Sequence, residues 1–218
     1  MAQRDTENAS RAGRKRASSR EMLEEAASEL FLEHGYAGTT IEQIAQRAGV
    51  SRNTFFNYFD AKSDLLWGGV DTGIHALTEE LARTTRGQCV VDEVRGAIIR
   101  AAARFGPGQL PLAATQYEAM GAFAELAESG LSRFLGMAVV VERYLAARLR
   151  PTDAEAARTL AYALVAATVS AAGAWARAGV SRGQLDEYVR GAITPICEGF
   201  KTALGRWSGS SRAPSQNR

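Results

Sequence analysis

The sequence predicts an all-α protein, and three observations carry that expectation. Apolar residues recur at helical spacing along most of the chain, no run alternates β-branched with polar residues as a strand would, and only five prolines interrupt 218 residues. The composition is that of a globular chain long enough for one large domain or two small ones: 46% hydrophobic, 23% charged, net charge +2. It excludes a wholly disordered chain, a collagen-like repeat and a disulfide scaffold. The two cysteines, Cys89 and Cys197, stand far apart without CxxC spacing, which points to a reducing compartment. Charge is unevenly spread. The first twenty residues hold six basic side chains against Asp5 and Glu7, so a polyanion near the N-terminus is the expected partner.

Residues 1–18 read as a disordered basic arm and 208–218 as a second low-complexity tail. A first helix is expected from about Ser19 to His34, with Leu23, Ala26, Ala27, Leu30 and Phe31 on one apolar stripe and Gly35 ending it. A second runs from Ile41 to about Ala48, opened by a capping box of Thr39 with Glu42 or Thr40 with Gln43 and stopped by Gly49. Ser51 caps a third, which continues through Asn57. A fourth opens at Ser63 and reaches Arg83, although Gly68, Gly69 and Gly73 each cost a stiff helix about 0.5–1 kcal/mol relative to alanine. Further helices are expected over Val91–Arg104, Ala113–Glu128 and Leu131–Leu149, the last two divided at Ser129–Gly130. The final pair spans Pro151 to about Ala178 and Ser181 to about Leu204, with a kink at Pro195. The expected domains are 19–65 and 66–207.

Thr39 to Lys62 carries the strongest functional signal. Two short helices meet through Ala48–Gly49–Val50, with small Ala45 at the crossing and Ile44 and Val50 in a shared core. That arrangement is a helix-turn-helix. Its second helix offers Arg52, Asn53, Thr54 and Asn57, and the arginine fork and asparagine amide match guanine and adenine edges in a major groove. Tyr58 and Lys62 at the far end, and Thr40 at the start of the preceding helix, are candidate phosphate contacts. Charge by itself argues neither way: through Lys62 the basic and acidic residues are equal in number, and Glu21, Glu24, Glu25, Glu29 and Glu33 crowd the first helix.

At these residues the chain resembles the TetR-type repressors. The matching block runs from about Met22 to Trp67: Gly35–Tyr36 closing the first helix, Thr39–Thr40 leading into Ile44–Ala45 and Ala48–Gly49–Val50–Ser51, then Thr54–Phe55–Phe56, Tyr58–Phe59 and Lys62 with Leu65–Leu66. Phe56 stands where many members have a phosphate-binding tyrosine, so no hydroxyl is available there. The resemblance implies a homodimer on a palindromic double-stranded DNA operator, one recognition helix per major groove. It also implies dimerisation through the last two helices. The sequence suits this with Leu160, Leu164, Ala167, Ala171 and Trp175 on one stripe and Ala166, Ser170 and Ala174 on a small-residue face.

The remaining helices are then expected to enclose a pocket for a small-molecule effector, with Trp67, Phe105, Tyr117, Met120, Phe123, Phe134, Met137, Tyr144 and Trp175 as candidate lining. The Phe55–Phe59 stretch with Lys62, Leu66 and Trp67–Gly69 is similar to the mycofactocin-system regulators, a subgroup whose resemblance implies a long acyl-CoA effector. Arg104, Arg133, Arg143 and Arg148 are too scattered in sequence to mark a phosphate grip. In such proteins the ligand shifts the fourth helix and so changes the separation of the two reading heads.

An enzyme is disfavoured: only His34 and His75 are present, and GxSxG, Walker A, GxGxxG and HExxH are all absent. Neither a metal site nor a cofactor is expected. The uncharged run from Leu160 to Ala176 is alanine-rich and shorter than the roughly 20 apolar residues of a bilayer span. With a polar N-terminus, these features lead to the expectation of a cytoplasmic protein without a membrane partner. A helical adaptor that reuses the fold without binding DNA is the alternative reading.

Overall fold

A computed structural model describes the backbone of residues 2–85, 87 and 89–210 and the side chains of residues 19–85, 87 and 89–202. The expected arm 1–18 and tail 208–218 lie outside the residues whose side chains are described. All regular structure among the described residues is helical. The α-helices are α1 (Ala2–Gly38), α2 (Ile41–Arg47), α3 (Arg52–Phe56), α4 (Gly69–Arg83), α5 (Val90–Ala103), α6 (Ala113–Gln116), α7 (Phe123–Ala146), α8 (Ala154–Arg177) and α9 (Leu185–Ser210). Single 3₁₀ turns lie at Lys62–Leu66, Pro107–Gln109, Pro151–Asp153 and Gly179–Ser181.

The chain divides into two compact units, Met1–Val70 with Leu110–Gly130 and Asp71–Gln109 with Leu131–Arg218. The first therefore holds more than the segment 19–65. Ala113, Met120 and Ala122 join Leu23, Ala27, Leu30, Phe31, Ile44, Phe55, Phe59 and Leu66 in one buried cluster. The Tyr36 N–H donates to the Met120 carbonyl at 2.7 Å. Met120 is the large side chain among these additions, and withdrawing such a side chain from water contributes roughly 1.5–3 kcal/mol.

Several boundaries differ from the sequence expectation, each for a stated reason. Gly35 interrupts α1 where the sequence expects its end, and a short helical segment follows it. The glycine takes a left-handed φ of 75°, the axis kinks there, and the helical turn resumes to Gly38. Buried Thr39 then ties the kink down, its hydroxyl lying 3.1 Å from the Leu30 carbonyl and 2.9 Å from that of Gly35. The expected helix Ala113–Glu128 is broken at Gly121, which has φ 60°. The break expected at Ser129–Gly130 is absent, because α7 runs straight through it. Those two residues seat an indole instead. Trp67 Nε1 donates to Ser129 Oγ at 2.9 Å, and a Cβ on Gly130 would stand 3.0 Å from the Trp67 ring.

In the second unit α9 packs on both α5 and α8. Val94, Ala97, Val141, Leu145, Leu160, Leu164, Val189 and Ile193 are almost fully buried. Counted with its flanks, Pro151–Arg177 is long and apolar enough by length and composition to cross a membrane, which the shorter run from Leu160 is not. Here one face of α8 is buried and Ala166, Ser170 and Ala174 lie on the exposed one. Pro195 sits inside α9 as expected. Gly68 is not inside a helix: it separates the 3₁₀ turn from α4 with φ 34°, whereas Gly73 in α4 lets the Phe105 ring approach to 3.3 Å of where a Cβ would be.

Candidate nucleic-acid interface

Local hydrogen bonds fix α2 and α3 before any long-range packing is counted. Thr40 and Gln43 form a reciprocal capping box: the Thr40 hydroxyl accepts the Gln43 N–H at 3.2 Å, and the Gln43 amide oxygen accepts the Thr40 N–H at 2.8 Å. Ser51 caps α3 by accepting the Thr54 N–H at 3.1 Å, and its hydroxyl lies 2.9 Å from that of Thr54. Between them Gly49 takes φ 67°, a conformation open to glycine, and the Val50 N–H donates back to the Ala45 carbonyl at 2.9 Å. Ile44 and Phe55 are then fully buried.

Arg47 fastens this pair of helices to α1. Its guanidinium donates to Glu29 at 2.9 Å and to both carboxylate oxygens of Glu33 at 3.1 and 2.8 Å. That fork holds the Glu33 carboxyl below the usual carboxylate range. With Glu24 paired to Arg20 at 3.0 Å, part of the acidic crowding on α1 is neutralised within the fold.

Of the residues expected at DNA, Thr40, Arg52, Asn53 and Asn57 are exposed, while Thr54 and Tyr58 are half-buried. The Thr54 hydroxyl is shared with the Ser51 cap, and Tyr58 packs against the core. Lys62 differs most from expectation. Its ammonium donates to the carbonyls of Tyr36 at 2.7 Å and Thr39 at 2.8 Å and lies 4.0 Å from the Tyr36 ring centre. Half-burial also lowers its pKa. The reason is geometric: the chain between the kink at Gly35 and the start of α2 presents two carbonyls to the 3₁₀ turn that carries Lys62. Two contacts in the group were missed by sequence reasoning. Arg52 Nε lies 2.6 Å from a Glu42 carboxylate oxygen, and the Arg52 guanidinium sits 4.9 Å over the Phe56 ring. The spacing of ten residues between Glu42 and Arg52 is no helical period, so only the turn between α2 and α3 reveals the pair.

The nine candidate pocket residues fall in both units. Trp67, Tyr117, Met120 and Phe123 belong to the first, where Met120 is core and Phe123 is 67% exposed. Phe105, Phe134, Met137, Tyr144 and Trp175 belong to the second. There Phe105 meets Trp175 edge-on at 6.0 Å, Phe134 meets Tyr162 at 5.9 Å, and the Tyr144 hydroxyl donates to buried Glu93 at 2.9 Å. Met137 is half-buried on α7. The second unit also holds an open cleft of about 780 Å³ whose lining includes Glu80, Arg83, Thr84, Cys89, Glu93 and Arg100, and none of the nine candidates.

Among the described residues α2 and α3 form a helix-turn-helix within all-helical surroundings, the class of module that this geometry defines. Residues 23–66 match the family described as bacterial regulatory proteins, tetR family. That match covers the helix-turn-helix segment, and through this segment the chain is similar to tetR-family proteins. Among curated relatives, a putative mycofactocin biosynthesis transcriptional regulator, MftR, of Mycobacterium tuberculosis is 31% identical over 90 residues, 41% of this chain and 46% of that one. The regulator TcmR of Streptomyces glaucescens is 32% identical over 97 residues, 44% of this chain and 43% of the relative. The matches thus span less than half the length of these curated relatives. Among solved structures, Thermus thermophilus FadR, a TetR-family repressor in complex with lauroyl-CoA, is similar at 26% identity with a TM-score of 0.51, covering 83% of this chain and 94% of that one. A TetR-family regulator of Mesorhizobium loti shares the fold at 18% identity and a TM-score of 0.50, covering 86% of this chain and 97% of that one.

Proposed function

We propose that this chain is a homodimeric DNA-binding transcriptional regulator, a repressor released from a palindromic operator by a small amphipathic ligand. The observation that carries the reading is the exposure of Arg52, Asn53 and Asn57 on and beside a short helix fixed by the Ser51 cap and by buried Ile44 and Phe55. Preorganised fork and amide groups on such a helix suit purine edges in the major groove. Thr40 and Tyr58 flank them as phosphate contacts; Thr54 adds a hydroxyl to the reading face. Lys62, its ammonium already engaged with two carbonyls, acts chiefly by holding the end of α1.

A second copy is taken up on the exposed small-residue face of α8 together with Gly191, Pro195 and Gly199, which lie exposed at four-residue spacing on α9. The effector belongs to the second unit. An acyl-CoA is the ligand class supported by the lauroyl-CoA complex of Thermus thermophilus FadR. The apolar candidates of that unit, Phe105, Phe134, Met137, Tyr144 and Trp175, would meet its chain. Trp67 and Met120 serve the first unit's packing instead, while Tyr117 and Phe123 set their rings 5.9 Å apart within it. Release follows when the ligand prefers the unbound geometry by a few kcal/mol, passed through α4.

The test is selection of duplexes from a randomised library followed by affinity measurement across salt concentration. A regulator enriches a two-fold symmetric motif, and its affinity falls steeply with salt as counterions are released. A chain that enriches no motif and binds no duplex is the adaptor. Addition of lauroyl-CoA, with free CoA and laurate as controls, then asks whether the complex dissociates.

A further inference from the structure

We infer that Glu42 is a specificity-determining residue, one that holds Arg52 for base reading while suppressing its use on the phosphate backbone. The inference rests on the DNA-binding reading above and adds to it a side chain that no resemblance singles out. Glu42 lies in the first turn of α2, and its carboxylate oxygen is 2.6 Å from Arg52 Nε at the start of α3. Both side chains are more than half exposed, at 63% and 57%, so the pair is not needed to fill or seal the core. Phe56, itself 41% exposed, lies one turn along α3 and puts its ring 4.9 Å beneath the guanidinium. The arginine is therefore gripped on one edge and supported on one face.

What remains of the guanidinium is its outer fork. Glu42 takes the Nε edge, the nearest approach between the two side chains. An outward fork on a fixed stem matches the paired acceptors O6 and N7 of guanine, because less side-chain freedom is lost when the contact forms. The charge matters equally. A carboxylate at a DNA-facing edge repels phosphate, and the pair is neutral as a whole, so Arg52 adds little to attraction for duplex of arbitrary sequence. Glu42 thus weakens binding to every duplex while weakening binding to the wrong duplex more, since only the correct base pair repays the fork.

The experiment compares the selected operator with a scrambled duplex for wild type, Glu42→Gln, Glu42→Asp, Arg52→Ala and the double variant Arg52→Ala with Glu42→Gln, across salt concentration in the full chain. Glu42→Gln is expected to tighten scrambled binding and steepen its dependence on salt by about one ion. The operator-to-scrambled ratio is expected to fall about fivefold or more, the lower end of what a bidentate arginine–guanine contact supplies. Glu42→Asp keeps the charge but shortens the reach, so the ratio falls while scrambled binding does not tighten. With Arg52 removed, Glu42→Gln no longer alters the ratio. An unchanged ratio in both Glu42 single variants overturns the inference, whether affinities rise together or stay put. A ratio that still responds to Glu42→Gln in the Arg52→Ala background also overturns it, since Glu42 would then read bases directly. Failure of wild type to enrich any motif is a different result: it removes the DNA-binding reading itself before a variant is made.

Discussion

The ammonium of Lys62 lies within 2.8 Å of two backbone carbonyls presented by the chain between the kink at Gly35 and the start of α2. A lysine at the end of a recognition segment reads from sequence as a phosphate contact, yet here its reach is absorbed by the fold. Lys62→Met keeps the stem and removes the donors, and is expected to cost roughly 1–3 kcal/mol in urea unfolding because the carbonyls lose their partner. If stability holds and the salt dependence of DNA binding drops by about one ion instead, Lys62 is a phosphate contact after all. Glu33 makes a second prediction at this scale. Its folded pKa is depressed by Arg47, so the ion pair stabilises the protein above the ordinary carboxylate range and the contribution fades as pH falls below about 4.5. Since both side chains are well exposed, the effect is small and screened by salt. Glu33→Gln should flatten the acid limb of the stability profile at low ionic strength and leave it unchanged in high salt.

Glycines decide more at the scale of elements than the pattern of apolar residues suggests. Ser129–Gly130 has the composition of a break, but inside α7 the glycine makes room for an indole. Gly130→Ala raises helix propensity by about 0.5–1 kcal/mol and simultaneously drives a methyl group to 3.0 Å from the Trp67 ring. The second effect is expected to win. Thermal unfolding should show net destabilisation, and Trp67→Phe in the same chain should relieve part of it; a stabilised single variant would mean the ring moves freely. Gly68 and Gly73 have separate jobs for the same kind of reason, one supplying a positive φ and the other clearance for Phe105. Gly68 thus lies between two helical segments and not inside one long helix.

For the whole molecule, the proposed second copy can be tested on one face of α8. The exposed face of α8 carries Ala166, Ser170 and Ala174 beside Val169, mostly small enough for two helices to approach closely. Ser170→Arg places a charge at the centre of that face. Light scattering coupled to gel filtration is expected to show a shift toward a single copy, and operator affinity should fall because two half-sites are no longer read together. A Ser170→Arg variant that stays dimeric would move the interface elsewhere.

The reading head was legible in the sequence because its determinants are local. Caps three residues apart, a glycine in the turn and apolar spacing within each short helix act over distances that a linear pattern records. Glu42 with Arg52, Lys62 with Tyr36 and Trp67 with Ser129 were not legible, since each pair joins elements whose relative placement no local propensity encodes. The composition of the first unit is the clearest case. That Leu23 to Phe31 of α1, the reading helices and the distant residues Ala113, Met120 and Ala122 share one buried cluster depends on Gly121 turning the chain and on Met120 finding the Tyr36 N–H. By itself the sequence determined helical character, the helix-turn-helix and the side chains offered on its face. Only tertiary structure decided which of those side chains remain available, because burial and ion pairing are settled by neighbours that lie far away along the chain.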